Sequence, residues 1–145
     1  MATDRMAKVT WTGSLMDGAG TIEGVGSGAF GPLDVTWSSR AESPDGRTSP
    51  EELIAAAWAS CFSMALSHAL AGAGTPPDRL ETAVTVTFQP GEGIVKAAIE
   101  VVGTVPGVDH EGFVEQAEGA KVNCPVSKAM TGVPEITLDA TLAVA

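Results

Sequence analysis

Cys61 and Cys124 are the only cysteines in a chain of 145 residues, and no other side chain here offers thiol chemistry. Cys61 lies in the run Ala55-Ala56-Ala57-Trp58-Ala59-Ser60-Cys61-Phe62-Ser63-Met64-Ala65-Leu66, whose alanines read as helix. Cys124 stands before a proline in Asn123-Cys124-Pro125-Val126-Ser127-Lys128, the pattern of a helix start. Taken by themselves, the residues leave three readings open. The thiols are inert buried side chains, as free cysteines commonly are. They form a permanent disulfide. Or they cycle, one attacking an oxidant and the other converting the resulting sulfenic acid to a disulfide.

A thiol reacts as the thiolate, and a nearby cation favours that form. Arg40, expected at the end of a strand, is one source of such a cation, and Arg47 in the following polar loop is its competitor. Glu51, at an expected helix start, could orient a guanidinium through two hydrogen bonds. The plainer readings are a solvated charge for Arg40 and dipole compensation for Glu51.

Other chemistries fare worse. Gly26-Ser27-Gly28-Ala29-Phe30-Gly31 matches the dinucleotide fingerprint as a string, but Pro32 and an extended segment follow where a helix is needed. Two cysteines with His68 and His110 lack zinc-ligand spacing. His68 is seven residues beyond Cys61, about 10 Å along a helix axis, too far to act as its base. It reads as a core or helix-end histidine, and His110 as a surface one. Without a tyrosine, there is no phenolic acid or nucleophile.

The elements that must position these groups are legible. Lys8 to Thr12, Thr21 to Val25 and Leu33 to Ser38 read as strands, the last with Val35 and Trp37 on one face. Ala41 to Thr48 is a loop around Pro44-Asp45-Gly46. Ser49 caps a helix with Pro50 in its first position and Glu51 and Glu52 on the dipole. That helix should run to about Ala71 and stop at Gly72-Ala73-Gly74. Thr82 to Phe88 and Ile94 to Val102 form a hairpin across Gln89-Pro90-Gly91-Glu92-Gly93. Asp109 caps a short helix burying Phe113, Val114 and Ala117. Cys124-Pro125 opens another through Met130, and Val133 to Leu142 is the closing strand.

Length fits one domain over residues 1–145, and 44% hydrophobic residues supply a core. A net charge of −10 disfavours nucleic acid and anionic membranes as partners. Leu53 to Leu70 is apolar enough to raise a membrane span, but Ser60, Ser63, Ser67 and His68 interrupt it, so a buried core helix is expected. Met1 to Lys8 holds no apolar stretch, so a cytoplasmic location is expected, where disulfides are usually transient.

One geometric constraint is independent of any comparison. Glu51 and Cys61 are ten residues apart on one expected helix, about 15 Å of rise. Glu51 cannot reach its own chain's Cys61. If both serve one site, a second copy supplies the glutamate, and Ala55, Ala56 and Ala57 are small enough for two such helices to approach near a two-fold axis.

Ser49-Pro50-Glu51-Glu52-Leu53-Ile54-Ala55-Ala56-Ala57 with Ala59-Ser60-Cys61-Phe62-Ser63-Met64-Ala65-Leu66, and Asn123-Cys124-Pro125-Val126-Ser127-Lys128-Ala129, resemble the two cysteine motifs of the OsmC/Ohr peroxiredoxin-like family. The similarity spans nearly the whole chain. The valine after Cys124-Pro125 and the Glu135-Ile136-Thr137-Leu138 strand resemble its OsmC branch. The resemblance implies an α+β fold, antiparallel sheets around long central helices in an intertwined homodimer. It implies a thiol-dependent peroxidase for organic hydroperoxides, and less efficiently hydrogen peroxide, in oxidative or osmotic stress defence. Cys61 is then the peroxidatic thiol, Cys124 the resolving thiol, and Glu51 and Arg40 the accompanying pair; Trp58 stands where relatives often carry another side chain. No cofactor is implied beyond an external dithiol reductant, with lipoylated proteins as the family's suggestion. The alternatives are a non-catalytic small-molecule binder and a stress-associated structural dimer.

Overall fold

A computed structural model of the chain describes residues 1–144. They fall into two compact units, Met1–Leu53 and Ile54 onward. The elements run β1 (Ala7–Thr12), β2 (Ala19–Val25), β3 (Leu33–Val35), α1 (Trp37–Ala41), α2 (Pro50–Gly72), β4 (Arg79–Gln89), β5 (Gly93–Thr104), α3 (His110–Asn123), α4 (Pro125–Ala129) and β6 (Glu135–Leu142). The α+β class is as expected.

The first unit is built on the antiparallel sheet β1-β2-β3. Ile22 on β2 is buried, whereas every residue of β1 is exposed, Val9 and Trp11 included. The third strand is shorter than the alternation Leu33 to Ser38 predicts. Thr36 breaks it: its hydroxyl accepts from the Ser39 N–H at 3.0 Å, and the Ser39 hydroxyl accepts from the Thr36 N–H at 2.9 Å. This reciprocal cap starts α1, so Trp37 belongs to a helix and Arg40 to its last turn. The glycine-rich string does not open a helix; a cis Gly31–Pro32 peptide leads into β3.

The long helix follows its capping signals. The Ser49 hydroxyl accepts from the Glu52 N–H at 3.2 Å, and Pro50 is the first helical residue. Its interior differs from a fully buried core helix. Trp58, Phe62, Leu66 and Leu70, spaced four apart, are wholly buried, while Ala56, Ser60, Met64 and His68 are exposed, Met64 at 71%. The large side chains Trp58, Phe62, Leu66 and Leu70 form a single stripe that enters the core, while the opposite face is small or polar apart from Met64. By length and composition this helix is also able to span a membrane, yet only 22% of its most apolar stretch is buried in the fold.

The second unit packs that stripe with the sheet β4-β5-β6 and helix α3. On β5, the central strand, Ala97, Ile99 and Val101 face inward at a period of two. The β4–β5 hairpin is antiparallel, as expected, but β6 pairs with β5 in parallel, from Lys96↔Glu135 to Gly103↔Leu142. The sheet is therefore mixed. The reason lies in the connection: α3 and α4 intervene, and a helical crossover returns the chain in the direction of the strand it left.

Asp109 caps α3, its carboxylate accepting from the Gly112 N–H at 2.8 Å, and Phe113, Ala117 and Ala120 are buried. Phe113 sits where β5 lacks a side chain. A Cβ on Gly103 would fall 2.5 Å from its ring. Gly103→Ala is expected to destabilise the fold by about 1–3 kcal/mol through overpacking, read as a lower urea midpoint.

Candidate functional site

Two side-chain pairs stand out, one in each unit. In the first, Arg40 at the end of α1 faces Glu51 at the start of α2. Arg40 Nη2 donates to Glu51 Oε1 at 2.8 Å, and Nε to Oε1 at 3.0 Å and Oε2 at 3.2 Å. Glu51 is only 6% exposed. A carboxylate so far removed from water needs a full set of donors, and the planar guanidinium supplies them. The competing Arg47 instead makes an exposed ion pair with Asp45 at 3.5 Å. Of the two arginines, Arg40 is the partner of Glu51.

The second pair is sulfur. Cys61 Sγ on α2 and Cys124 Sγ at the start of α4 lie 2.9 Å apart, and both thiols are free. Cys124 is the N-cap of α4, with Pro125 in the first helical position. Helix α4 is joined to α2 a second time: the indole Nε1 of buried Trp58 donates to Ser127 Oγ at 2.9 Å.

The two sulfurs differ in acidity and in access. Burial pushes the Cys61 thiol above its ordinary value, and the neighbouring Cys124 adds to the rise; the Val126 N–H opposes them. Burial pushes Cys124 the same way but is outweighed. The polar surroundings supplied by the Cys61 thiol, by the Ser127 backbone and hydroxyl, and by the Val126 backbone together bring Cys124 below its ordinary value. Access runs the other way: Cys124 is 0% exposed, and Cys61 is half-buried.

Cys61 opens on a cavity of about 550 Å³. Met64, Ala65 and Ala69 of α2 form one wall, with Gly119 and Ala120 of α3 and Pro125 opposite. The lining is mostly apolar, with His68, Gln116 and Asn123 as its polar points. His68 is thus exposed on the cavity rather than a core residue. His110 is exposed, as expected. Among the described residues no three His, Cys, Asp or Glu side chains cluster to hold a metal.

All four residues singled out by chemistry are therefore paired, Arg40 with Glu51 and Cys61 with Cys124. Sequence reasoning missed Ser127, although a buried indole must find an acceptor and Ser127 lies one turn beyond Cys124.

Comparison with known proteins identifies the chain's relatives. The family model described as OsmC-like protein matches residues 43–139, which include Glu51, Cys61 and Cys124 and leave Arg40 just outside. Peroxiredoxin OsmC of Escherichia coli (strain K12) is 37% identical over 142 residues, covering 96% of each chain. The crystal structure of the organic hydroperoxide resistance protein OhrB of Bacillus subtilis superimposes with a TM-score of 0.62 at 27% identity, covering 95% of this chain and 98% of that one. An OsmC-like protein from Mycoplasma pneumoniae, at 16% identity and a TM-score of 0.69, shares the fold over 98% of this chain and 100% of its own. The chain belongs to the OsmC-like protein family.

Proposed function

We propose that this chain is a thiol-dependent peroxidase that reduces organic hydroperoxides. The 2.9 Å approach of Cys61 to Cys124 beside an apolar cavity carries the reading. Its relatives' names, peroxiredoxin and organic hydroperoxide resistance protein, support it.

Cys61 is the attacking thiol because it is the one that borders the cavity. Cys61 reacts as the thiolate, its proton passing to solvent, and the Cys61 sulfur attacks the distal oxygen of the hydroperoxide. The O–O bond breaks, an alkoxide leaves and is protonated to the alcohol, and Cys61 becomes a sulfenic acid. Cys124 then attacks the oxidised sulfur. An S–S bond forms, the S–O bond breaks, and the oxygen leaves as water with the proton from Cys124. An external dithiol, free or on a lipoylated protein, reduces the disulfide. No cofactor takes part. An apolar lining favours organic hydroperoxides over hydrogen peroxide, and the role fits oxidative or osmotic stress defence.

Burial raises Cys61, so the site needs a cation. The Arg40–Glu51 pair of a second copy is its source in this reading, within an intertwined homodimer. Arg40→Met then removes that cation and shifts the pH–rate profile for hydroperoxide consumption toward higher pH, because a larger rise in pH is needed to form the thiolate. A profile that does not move counts against a role for Arg40.

The test of the function is consumption of cumene, t-butyl and hydrogen peroxide with dithiothreitol. The two organic substrates should be consumed faster. No consumption above the uncatalysed rate overturns the proposal.

A further inference from the structure

Two contacts join α2 to α4 side by side. Cys61 and Cys124 meet through sulfur, and Trp58, three residues earlier on α2, meets Ser127, three residues later on α4. Both members of the second contact are buried, Trp58 at 0% and Ser127 at 6% exposure. An indole N–H only donates, whereas a serine hydroxyl has one proton and two lone pairs. Once Nε1–H occupies a lone pair of Oγ, the Ser127 proton must point elsewhere. Ser127 stands three residues beyond Cys124, the N-cap of α4, so a proton aimed back along the helix is directed toward that sulfur.

We infer that Trp58 is a positioning residue for Cys124: its indole N–H fixes Ser127 so that the hydroxyl donates to the Cys124 sulfur and holds it facing Cys61. The same contact is a second strut between the elements that carry the two thiols, so it also preserves the short distance between them. Its consequence for turnover rests on the peroxidase reading; the arrangement itself does not. In that cycle, the poised sulfur attacks the Cys61 sulfenic acid, the S–S bond forms and water departs. A less well-held Cys124 leaves the sulfenic acid open to a second hydroperoxide. That second reaction gives the sulfinic acid and another molecule of alcohol.

Trp58→Phe keeps the aromatic bulk and removes the donor. In a Cys61→Ser chain a single thiol remains, and its ultraviolet thiolate absorbance can be followed against pH. Trp58→Phe should move that titration upward, Ser127→Ala should move it the same way, and the double variant no further than Ser127→Ala alone. Ser127→Thr, which keeps a hydroxyl, should restore it. An unmoved titration with Trp58→Phe, or two shifts that add, overturns the inference; so does a lower melting temperature with no change in titration, the mark of packing alone. With both cysteines present, Trp58→Phe should slow disulfide formation after one equivalent of cumene hydroperoxide about five-fold, the worth of one hydrogen bond, and raise the sulfinic fraction on Cys61. An unchanged partition between disulfide and sulfinic acid also overturns it. The titration needs no turnover, so its outcome is independent of whether the chain proves to be a peroxidase.

Discussion

Cys61→Ser is expected to lower hydroperoxide consumption with dithiothreitol by on the order of 10³-fold or more, to the background rate. A serine hydroxyl is far less acidic and far less nucleophilic than a thiol, and Cys124 cannot replace Cys61 because none of its surface is exposed. Cys124→Ser should behave differently. It leaves the sulfur at the cavity, so one equivalent of alcohol still forms per chain. The sulfenic acid then persists, and repeated exposure carries it to the sulfinic acid. Mass spectrometry after one equivalent of cumene hydroperoxide separates the cases: a gain of one oxygen on Cys61 in the Cys124→Ser chain, and none on Cys124 in the Cys61→Ser chain. The opposite pattern reverses the roles. It is a real test, because Cys124 lies below its ordinary value and Cys61 above, and acidity alone would select Cys124 as the nucleophile. Cavity access decides for Cys61.

Sequence alone shows the elements best where a local signal is backed by tertiary packing. Ser49-Pro50 predicted the start of α2, and the glycines after Ala71 its end, because caps and breakers act within a few residues. The Asp109 cap and the Gln89–Gly93 turn were legible for the same reason. Local alternation misled at Leu33 to Ser38, where Val35 and Trp37 fit a strand but the Thr36–Ser39 cap starts a helix. Partner strand and direction were not legible for β6, since they depend on where α3 and α4 leave the chain. Of the site, the four reactive residues were visible by type. Arg40 was preferable to Arg47 as the partner of Glu51, because a polar loop holds a side chain less firmly, and the fold makes that pair; its geometry turns on a loop whose path only the fold fixes. Burial was overestimated for α2, whose alanines suit a core and a close-approach face equally.

That exposed face bears on the second large expected effect. Because α2 is continuous from Pro50 to Gly72, the rise of about 15 Å between Glu51 and Cys61 is fixed by helix geometry. In the proposed dimer, a glutamate that serves Cys61 must come from another copy, and a two-fold axis near Ala56 would bring it there, over the small exposed residues Ala56, Ala57 and Ser60. Glu51→Ala removes the partner of Arg40 and should disable every site in its own dimer, just as Cys61→Ser disables every site in its own. In a mixed dimer the damage separates. One site keeps Cys61 from the Glu51→Ala chain and Glu51 from the Cys61→Ser chain, whereas the other site has neither. Co-expressed in equal amounts, random pairing makes half of all dimers mixed, and one site in each is intact. Activity should therefore return to about a quarter of the unaltered protein's. If the mixture shows no more activity than either variant alone while mixed dimers are demonstrably present, the two-copy site is wrong. Arg40 and Glu51 would then stabilise only the unit in which they pair, and Cys61 would react without the help of that cation.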